Sequence, residues 1–473
     1  MIFKDFLDIK MIQTQTRNPF TGEIVQQYEH LTYEEIEEKL EKSFTAFKSY
    51  KKTDLDYRLE CIMNTAEILD KNKESYAQLI TMEMGKPILQ ARGEIERCIA
   101  YCKYYQENAK DFLTSTEIQS PADRSYVAYQ PLGPLILFQP WNFPIWLVFK
   151  TAIPQFLVGN TMLVKNSPNT PACGIELEKL FLEAGFPEGV YQYAPIDYKD
   201  VELVISDKRI RGCSLTGSAN SGKIVGKICG AHIKKCVLEL GGADPFIVLD
   251  DADISKAAKA GVASRLVNNS QACTNAKRFI VNEKIYDEFK EKVIQELDAL
   301  KIGDPTEEDT TLGPLAKEEA VKGLRDQVLK SVEKGAKVSY GDESQLSTEL
   351  DPTKGFFFTP MILEDIPKDS PAYNEELFGP VIGMFKVKDD QEAIELANDH
   401  EYGLSGAVFS TDIERAEKVA LEIESGMMNI NDISKGYKEL PFGGVKSSGY
   451  GRESSMQGCR EFINIKAVAI MNS

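Results

Sequence analysis

The sequence predicts an α/β protein: two doubly wound units, with a β-hairpin set apart from both. Three observations predict it. Between residues 134 and 240 short apolar runs alternate with helical segments. The alternation resumes after residue 245. A polar stretch, 114–133, lies ahead of the first run. Buried strands separated by helices form parallel sheets covered on both faces. At about 100–200 residues per domain, 473 residues make two to four domains.

Before residue 113 the chain reads as helices. Ile36, Leu40, Phe44 and Phe47 recur at helical spacing behind a Thr32-x-x-Glu35 capping box. Cys98 and Cys102 stand four apart and read as core thiols. Residues 114–133 read as two strands and a turn. The first unit then has strands at 135–139, 161–165, 190–193, 212–215 and 236–240, with helices near 198–206 and 220–230. Thr170-Pro171 opens another helix, Thr as N-cap and Pro in the first turn. The second unit has strands at 246–249 and 278–281 and helices over 254–268 and 285–300. Residues 341–355 read as a polar loop.

Composition excludes several functions. Acidic residues number 73 against 55 basic, a net charge of −18, which repels phosphate backbones and anionic lipid. Nucleic acid and membrane are therefore not expected partners. The apolar stretch 131–164 is broken by Pro134, Pro140, Asn142, Pro144, Lys150 and Pro154, so it reads as core strands. The N-terminal octapeptide carries acids early and does not read as a secretory signal. With nine scattered cysteines, reduced thiols and a cytoplasmic location are expected. Three histidines, none in a motif, speak against a Ser-His-Asp triad and against His-rich metal chemistry, and no metal is expected among the site residues.

Four segments could carry chemistry. Gly217-Ser218-Ala219-Asn220-Ser221-Gly222-Lys223-Ile224 sits at a strand-to-helix turn, where backbone amides and the helix dipole hold phosphate. It nearly matches a P-loop, but Ile224 replaces the magnesium-binding hydroxyl. Glu239-Leu240-Gly241-Gly242 puts an acid at a strand end. It reads as a general base or as a buried acid paired with a lysine such as Lys235. Cys273 lies in a polar loop, Asn268-Asn269-Ser270-Gln271-Ala272-Cys273-Thr274, unlike a core thiol. Pro140-Trp141-Asn142-Phe143-Pro144 holds Asn142 in a rigid turn, where it caps the turn or donates to an oxyanion.

Together these segments resemble the NAD(P)-dependent aldehyde dehydrogenase superfamily. So do Asn18-Pro19-Phe20-Thr21-Gly22-Glu23, Glu375-Glu376-Leu377-Phe378-Gly379-Pro380 and Pro441-Phe442-Gly443-Gly444-Val445-Lys446. The resemblance implies Cys273 as the nucleophile toward an aldehyde, with Asn142 and the Cys273 amide holding the oxyanion. One such donor is worth about 3–4 kcal/mol. It implies Glu239 as the base that activates water against the thioester. The product is then a free acid, not an acyl-coenzyme A. For NAD or NADP it implies a backbone contact from Trp141 and a ribose contact from Lys165. Gly217, Ser218 and Gly222 fall in the pyrophosphate turn, Glu376 at the nicotinamide ribose, and Phe378 beside it.

The resemblance further implies a Rossmann-like nucleotide-binding domain (1–113 and 134–240) and a catalytic domain (241–445). Residues 114–133 and 446–473 become an oligomerisation element of a homodimer or homotetramer. Within the superfamily the chain is closest to bacterial succinate-semialdehyde dehydrogenase-like members. Lys150 stands where that group has an arginine for the substrate carboxylate. Val267 stands where other such enzymes have a second arginine. Pro168 replaces an acid that would repel a 2′-phosphate, so NADP is admitted. Asn275, two residues after Cys273, leaves no partner for a local disulfide. The pocket is expected to draw on 101–105, 145–150 and 431–437. The alternatives are another aliphatic or sugar-phosphate aldehyde, a non-catalytic structural relative, and a phosphotransferase.

Overall fold

The computed structural model describes residues 13–347 and 351–472. The N-terminal octapeptide and part of the 341–355 stretch lie outside the described residues.

Two large sheets carry the architecture. The first runs, from edge to edge, Gly449–Tyr450, Lys235–Glu239, Gly212–Thr216, Pro134–Gln139, Thr161–Asn166, Tyr191–Tyr193. All neighbours are parallel except the Gly449–Tyr450 edge. The chain lays strands outward to one side of Pro134–Gln139, then returns to the other side with Gly212–Thr216. That reversal opens a crevice beyond the carboxyl ends of the two adjacent strands. The second sheet runs Lys337–Tyr340, Met361–Glu364, Val381–Val387, Arg278–Asn282, Pro245–Val248, Ala407–Phe409, Asn429–Ile430, antiparallel only at its first strand. Strands 245–248 and 278–282 are buried throughout, so their sequences read as continuous apolar runs.

Helices Tyr33–Tyr50, Leu55–Lys71, Lys73–Met84 and Ile88–Leu113 precede the first sheet. The Thr32–Glu35 capping box forms with both reciprocal bonds. Cys98 and Cys102 are free and buried on Ile88–Leu113. The helix Trp146–Val158 is buried on every side, between this layer and the sheet, hence its almost uniformly apolar sequence.

One helix start differs from expectation. Thr170 precedes Pro171–Glu183, but its side chain makes no capping bond. The Glu83 carboxylate takes the amides of Ala172 and Cys173 at 2.9 and 3.0 Å instead. A charged acceptor from another helix meets two orphan amides at once, which the Thr hydroxyl cannot do.

Strands Thr116–Glu117 and Arg124–Pro131 pair as the expected hairpin, and Ile463–Ile470 adds to it antiparallel. Thr116–Glu117 and most of Ile463–Ile470 are exposed, and Arg124–Pro131 between them is mostly half-buried. No helix among the described residues is long and apolar enough to cross a membrane.

Candidate active site

The strand Pro134–Gln139 ends at the Pro140–Pro144 turn, and Gly212–Thr216 ends at Gly217-Ser218. Both ends open on one cavity of about 480 Å³, whose opposite wall includes Ala272, Cys273 and Thr274. The turn is held from behind. Glu94 accepts the amides of Ile145 and Trp146 at 3.0 and 2.9 Å, at the start of Trp146–Val158. Its other oxygen pairs with Lys86 in full burial, and Lys86 lies 3.9 Å over the Phe143 ring.

The Cys273 loop is strained and clamped. Asn268, Asn269 and Ser270 are all left-handed, with φ of 57°, 54° and 64°. Such residues cost about 1–3 kcal/mol each and persist only where surroundings impose them. The Asn268 amide donates to the Asn142 carbonyl at 2.7 Å, and Asn269 bonds Gly85, Gly313 and Pro314. Asn275 donates to the carbonyls of Ser264, Arg265 and Val267, closing the preceding helix. Burial pushes the Cys273 thiol up to about 12, against the opposing pull of Lys150 and Lys277.

Asn142 lines the same cavity; its side-chain amide donates to the Gln271 carbonyl at 2.9 Å. Glu239 is placed differently. It is buried, neither carboxyl oxygen has a hydrogen-bond partner, and it does not form the cavity wall. A Cβ on Gly443 would stand 2.5 Å from one of its oxygens, so a glycine is needed beside it. Burial raises its pKa well above the ordinary range, with Lys150 opposing. The expected Lys235 partner is elsewhere: Lys235 pairs with Glu461 at 3.3 Å.

Lys150 lines the cavity, but its ammonium lies 2.5 Å from Glu453 and 3.4 Å over the Phe442 ring. Its charge is therefore already met. The expected cofactor residues divide. Trp141, Gly217, Ser218, Glu376 and Phe378 line the cavity. Trp141 and Phe378 meet edge to face at 5.9 Å. Ser218 caps the helix Ala219–Ala231. Glu376 accepts the Gly242 amide and pairs with Lys277, both at 3.1 Å, and a Cβ on Gly241 would strike its carboxylate. Lys165 lies apart, in a small hollow with His30 and Pro168, 4.5 Å over the Tyr198 ring. Burial lowers its pKa to about 8. Gly222 packs under Leu240, where any Cβ would clash, and does not line the cavity.

Residues 9–468 match the model of the Aldehyde dehydrogenase family. The chain belongs to the aldehyde dehydrogenase family. It is 41% identical over 453 residues to a Deinococcus radiodurans protein named succinate-semialdehyde dehydrogenase (NADP+), covering 96% of this chain and 94% of that one. It is 40% identical to an Escherichia coli succinate semialdehyde dehydrogenase (NAD(P)+), Sad, covering 95% and 96%. A succinic semialdehyde dehydrogenase structure from Streptococcus pyogenes, in complex with NADP+, aligns with a TM-score of 0.93 at 39% identity, covering 97% of this chain and all of that one.

The cavity of this aldehyde dehydrogenase holds residues that sequence reading passed over. Arg97 is exposed at the cavity, stacked 4.0 Å over the Trp146 ring and bonded to the Gly436 carbonyl at 3.2 Å. Among the described residues no carboxylate lies within ion-pairing distance of it. The pocket was expected to take side chains from 101–105. Tyr101 instead sits a layer behind, its hydroxyl donating to the Lys150 carbonyl at 3.0 Å. Lys277 donates to the carbonyls of Ala272 and Cys273 at 3.1 and 2.6 Å, fixing the Cys273 backbone from beneath. No local spacing signals Arg97; it is one more charge on the helix Ile88–Leu113.

Proposed function

We propose that this chain oxidises succinic semialdehyde to succinate with NADP+ in preference to NAD+. One observation carries the reading: a cysteine on a strained, clamped loop faces the cavity onto which the phosphate-type turn Gly217-Ser218 opens. The residues fit a dinucleotide. Thr216 Oγ1, at the carboxyl end of its strand, and Asn166 Oδ1, at the end of the next but one, are buried without partners. Ser218 begins a 13-residue helix at the switch point. Gly217 and Ser218 would take the pyrophosphate, Lys165 the adenosine side, Trp141 a backbone contact, and Glu376 the nicotinamide ribose beside Phe378. Pro168, in place of an acid, favours a 2′-phosphate, and the relatives named for NADP+ support the same preference. When bound, the cofactor accepts the hydride leaving the aldehyde carbon.

The protein's own groups do the rest. Cys273, as thiolate, bonds to the carbonyl carbon, and its oxygen takes the charge against the Asn142 amide and the Cys273 backbone N–H. After hydride loss the carbon is held as a thioester on Cys273. Glu239, seated behind the cavity wall, turns toward Cys273 and, deprotonated, takes a proton from water, whose oxygen attacks the thioester. The carbon–sulfur bond breaks, succinate leaves, and the thiolate returns. Arg97 is the cation free to meet the far carboxylate, whereas Lys150, already paired with Glu453, shapes the wall and contributes positive potential.

We also infer the expected division into nucleotide-binding, catalytic and oligomerisation parts. The long Ile463–Ile470 edge, with Ile465 64% exposed, supports association through that element into a dimer or tetramer.

The test is reduced-cofactor formation with succinic semialdehyde and with butanal, which has the same carbon count. A kcat/KM at least ~10-fold higher for the acid-bearing aldehyde is expected, equivalent to ~1.4 kcal/mol. Equal values would sink the substrate assignment. Turnover surviving in Cys273→Ala would sink the nucleophile.

A further inference from the structure

Away from the cavity, three sulfurs converge in the first sheet's outer layer. Cys213 lies on Gly212–Thr216 and Cys236 directly opposite it on Lys235–Glu239, as partners in parallel register. Cys229 comes from the last turn of Ala219–Ala231, the helix that connects these two strands. The three Sγ atoms all lie within 4.8 Å of one another, and all three thiols are free. Cys213 and Cys229 are buried; Cys236 is half-buried on the strand beside the edge strand of Tyr450, a residue 51% exposed. The sheet edge at Tyr450 therefore gives solvent a short route to the cluster.

Three thiolates around one metal ion at ~2.3 Å in a plane stand about 4 Å apart. No pair of the three sulfurs is more than 4.8 Å apart, so none exceeds that spacing by more than about 0.8 Å. It is built on a strand–helix–strand unit whose close packing is enforced by Gly222 against Leu240. Among the described residues no histidine or carboxylate joins the donor set. All-thiolate sites select soft ions and reject magnesium, calcium and manganese.

We propose that Cys213, Cys229 and Cys236 form a three-thiolate site for one thiophilic d10 cation of the Cu(I) or Zn(II) class. Binding exchanges three S–H protons for the ion; the protons leave to solvent and no electron is transferred. A Zn(II) ion takes its fourth ligand from water or the Tyr450 hydroxyl, whereas Cu(I) is satisfied by three sulfurs. The ion ties the far end of a helix whose N-cap, Ser218, lines the cavity, and so locks that helix to the sheet.

The experiment uses full-length Cys273→Ala, which removes the cavity thiol, with Cd(II) as probe. One tightly bound ion per chain is expected, with a thiolate-to-metal charge-transfer band and a raised thermal midpoint. Cys236→Ala, the least buried of the three positions, should abolish the band and the thermal shift while keeping the native circular dichroism. Direct titration of the metal-free protein then separates the two sources: tight binding of Cu(I) alone assigns the first, and tight binding of Zn(II) the second. No tight binding of Cd(II), tight binding of neither Cu(I) nor Zn(II), or full binding retained in Cys236→Ala overturns the proposal.

Discussion

Cys273 joins two opposed requirements. It must reach substrate from a clamped loop, half-buried at the cavity, and the loss of water there disfavours its charged form, pushing the pKa up to about 12. A raised thiol pKa leaves a small thiolate fraction at neutral pH, and the fraction grows about tenfold per pH unit. Alkylation of Cys273 in the cofactor-free protein should therefore keep accelerating past pH ~8.5, where an ordinary thiol levels off. A plateau there would contradict the burial argument. Glu239 works the same way with a later readout. Its raised pKa keeps part of it protonated, so thioester hydrolysis should quicken as pH rises through that pKa. Glu239→Gln should retain the first burst of reduced cofactor and lose both the steady state and its pH dependence; an unchanged steady state would remove it from the mechanism. Arg97→Met tests recognition. A charge-assisted bond is worth roughly 1.5–3 kcal/mol. The expected loss in kcat/KM is therefore about 10- to 100-fold for succinic semialdehyde, with little change for butanal. Equal losses for both substrates would make Arg97 structural.

At the scale of elements, buried carboxylates organise the site. Glu94 and Glu83 each cap a helix they do not belong to, at Ile145-Trp146 and at Ala172-Cys173. Glu94 also neutralises Lys86 with neither side chain exposed. Removing one partner strands the other charge in the interior, at a cost of about 3–5 kcal/mol. Glu94→Ala should lower the thermal midpoint markedly, and Glu94→Gln less, because the amide oxygen can still accept from the helix start. Equal midpoints for wild type and Glu94→Ala would refute the cap. No residue within a helical turn of either glutamate in sequence is one it caps. The capping box at Thr32, by contrast, was legible because both partners lie within one turn. The same contrast explains Thr170: its position before Pro171 is local, whereas the acceptor that replaced it, Glu83, sits 89 residues upstream of the Ala172 amide it meets.

The whole molecule draws the walls of its cavity from both sheets. The first contributes strand ends at its reversal of order, the second the loop leading into Arg278–Asn282. If the exposed Ile463–Ile470 edge mediates association, Ile465→Lys should shift the protein to a smaller species in sedimentation while the monomer keeps its circular dichroism. An unchanged sedimentation coefficient would free that edge of the role.

By itself the sequence determined the two alternating strand-and-helix units, the detached hairpin, and the segments holding Asn142, Glu239 and Cys273. Periodicity, turn residues and short motifs act over a few positions, and that is the range a linear reading commands. The tertiary structure alone decided which charges meet. It paired Lys150 with Glu453, left Arg97 open at the cavity, set Lys277 beneath the Cys273 loop, withheld Glu239 from the wall, and gathered Cys213, Cys229 and Cys236. These are contacts between residues far apart or on separate elements. Electrostatic partnership depends on distance in space and on exclusion of water, and neither quantity exists until the chain has folded.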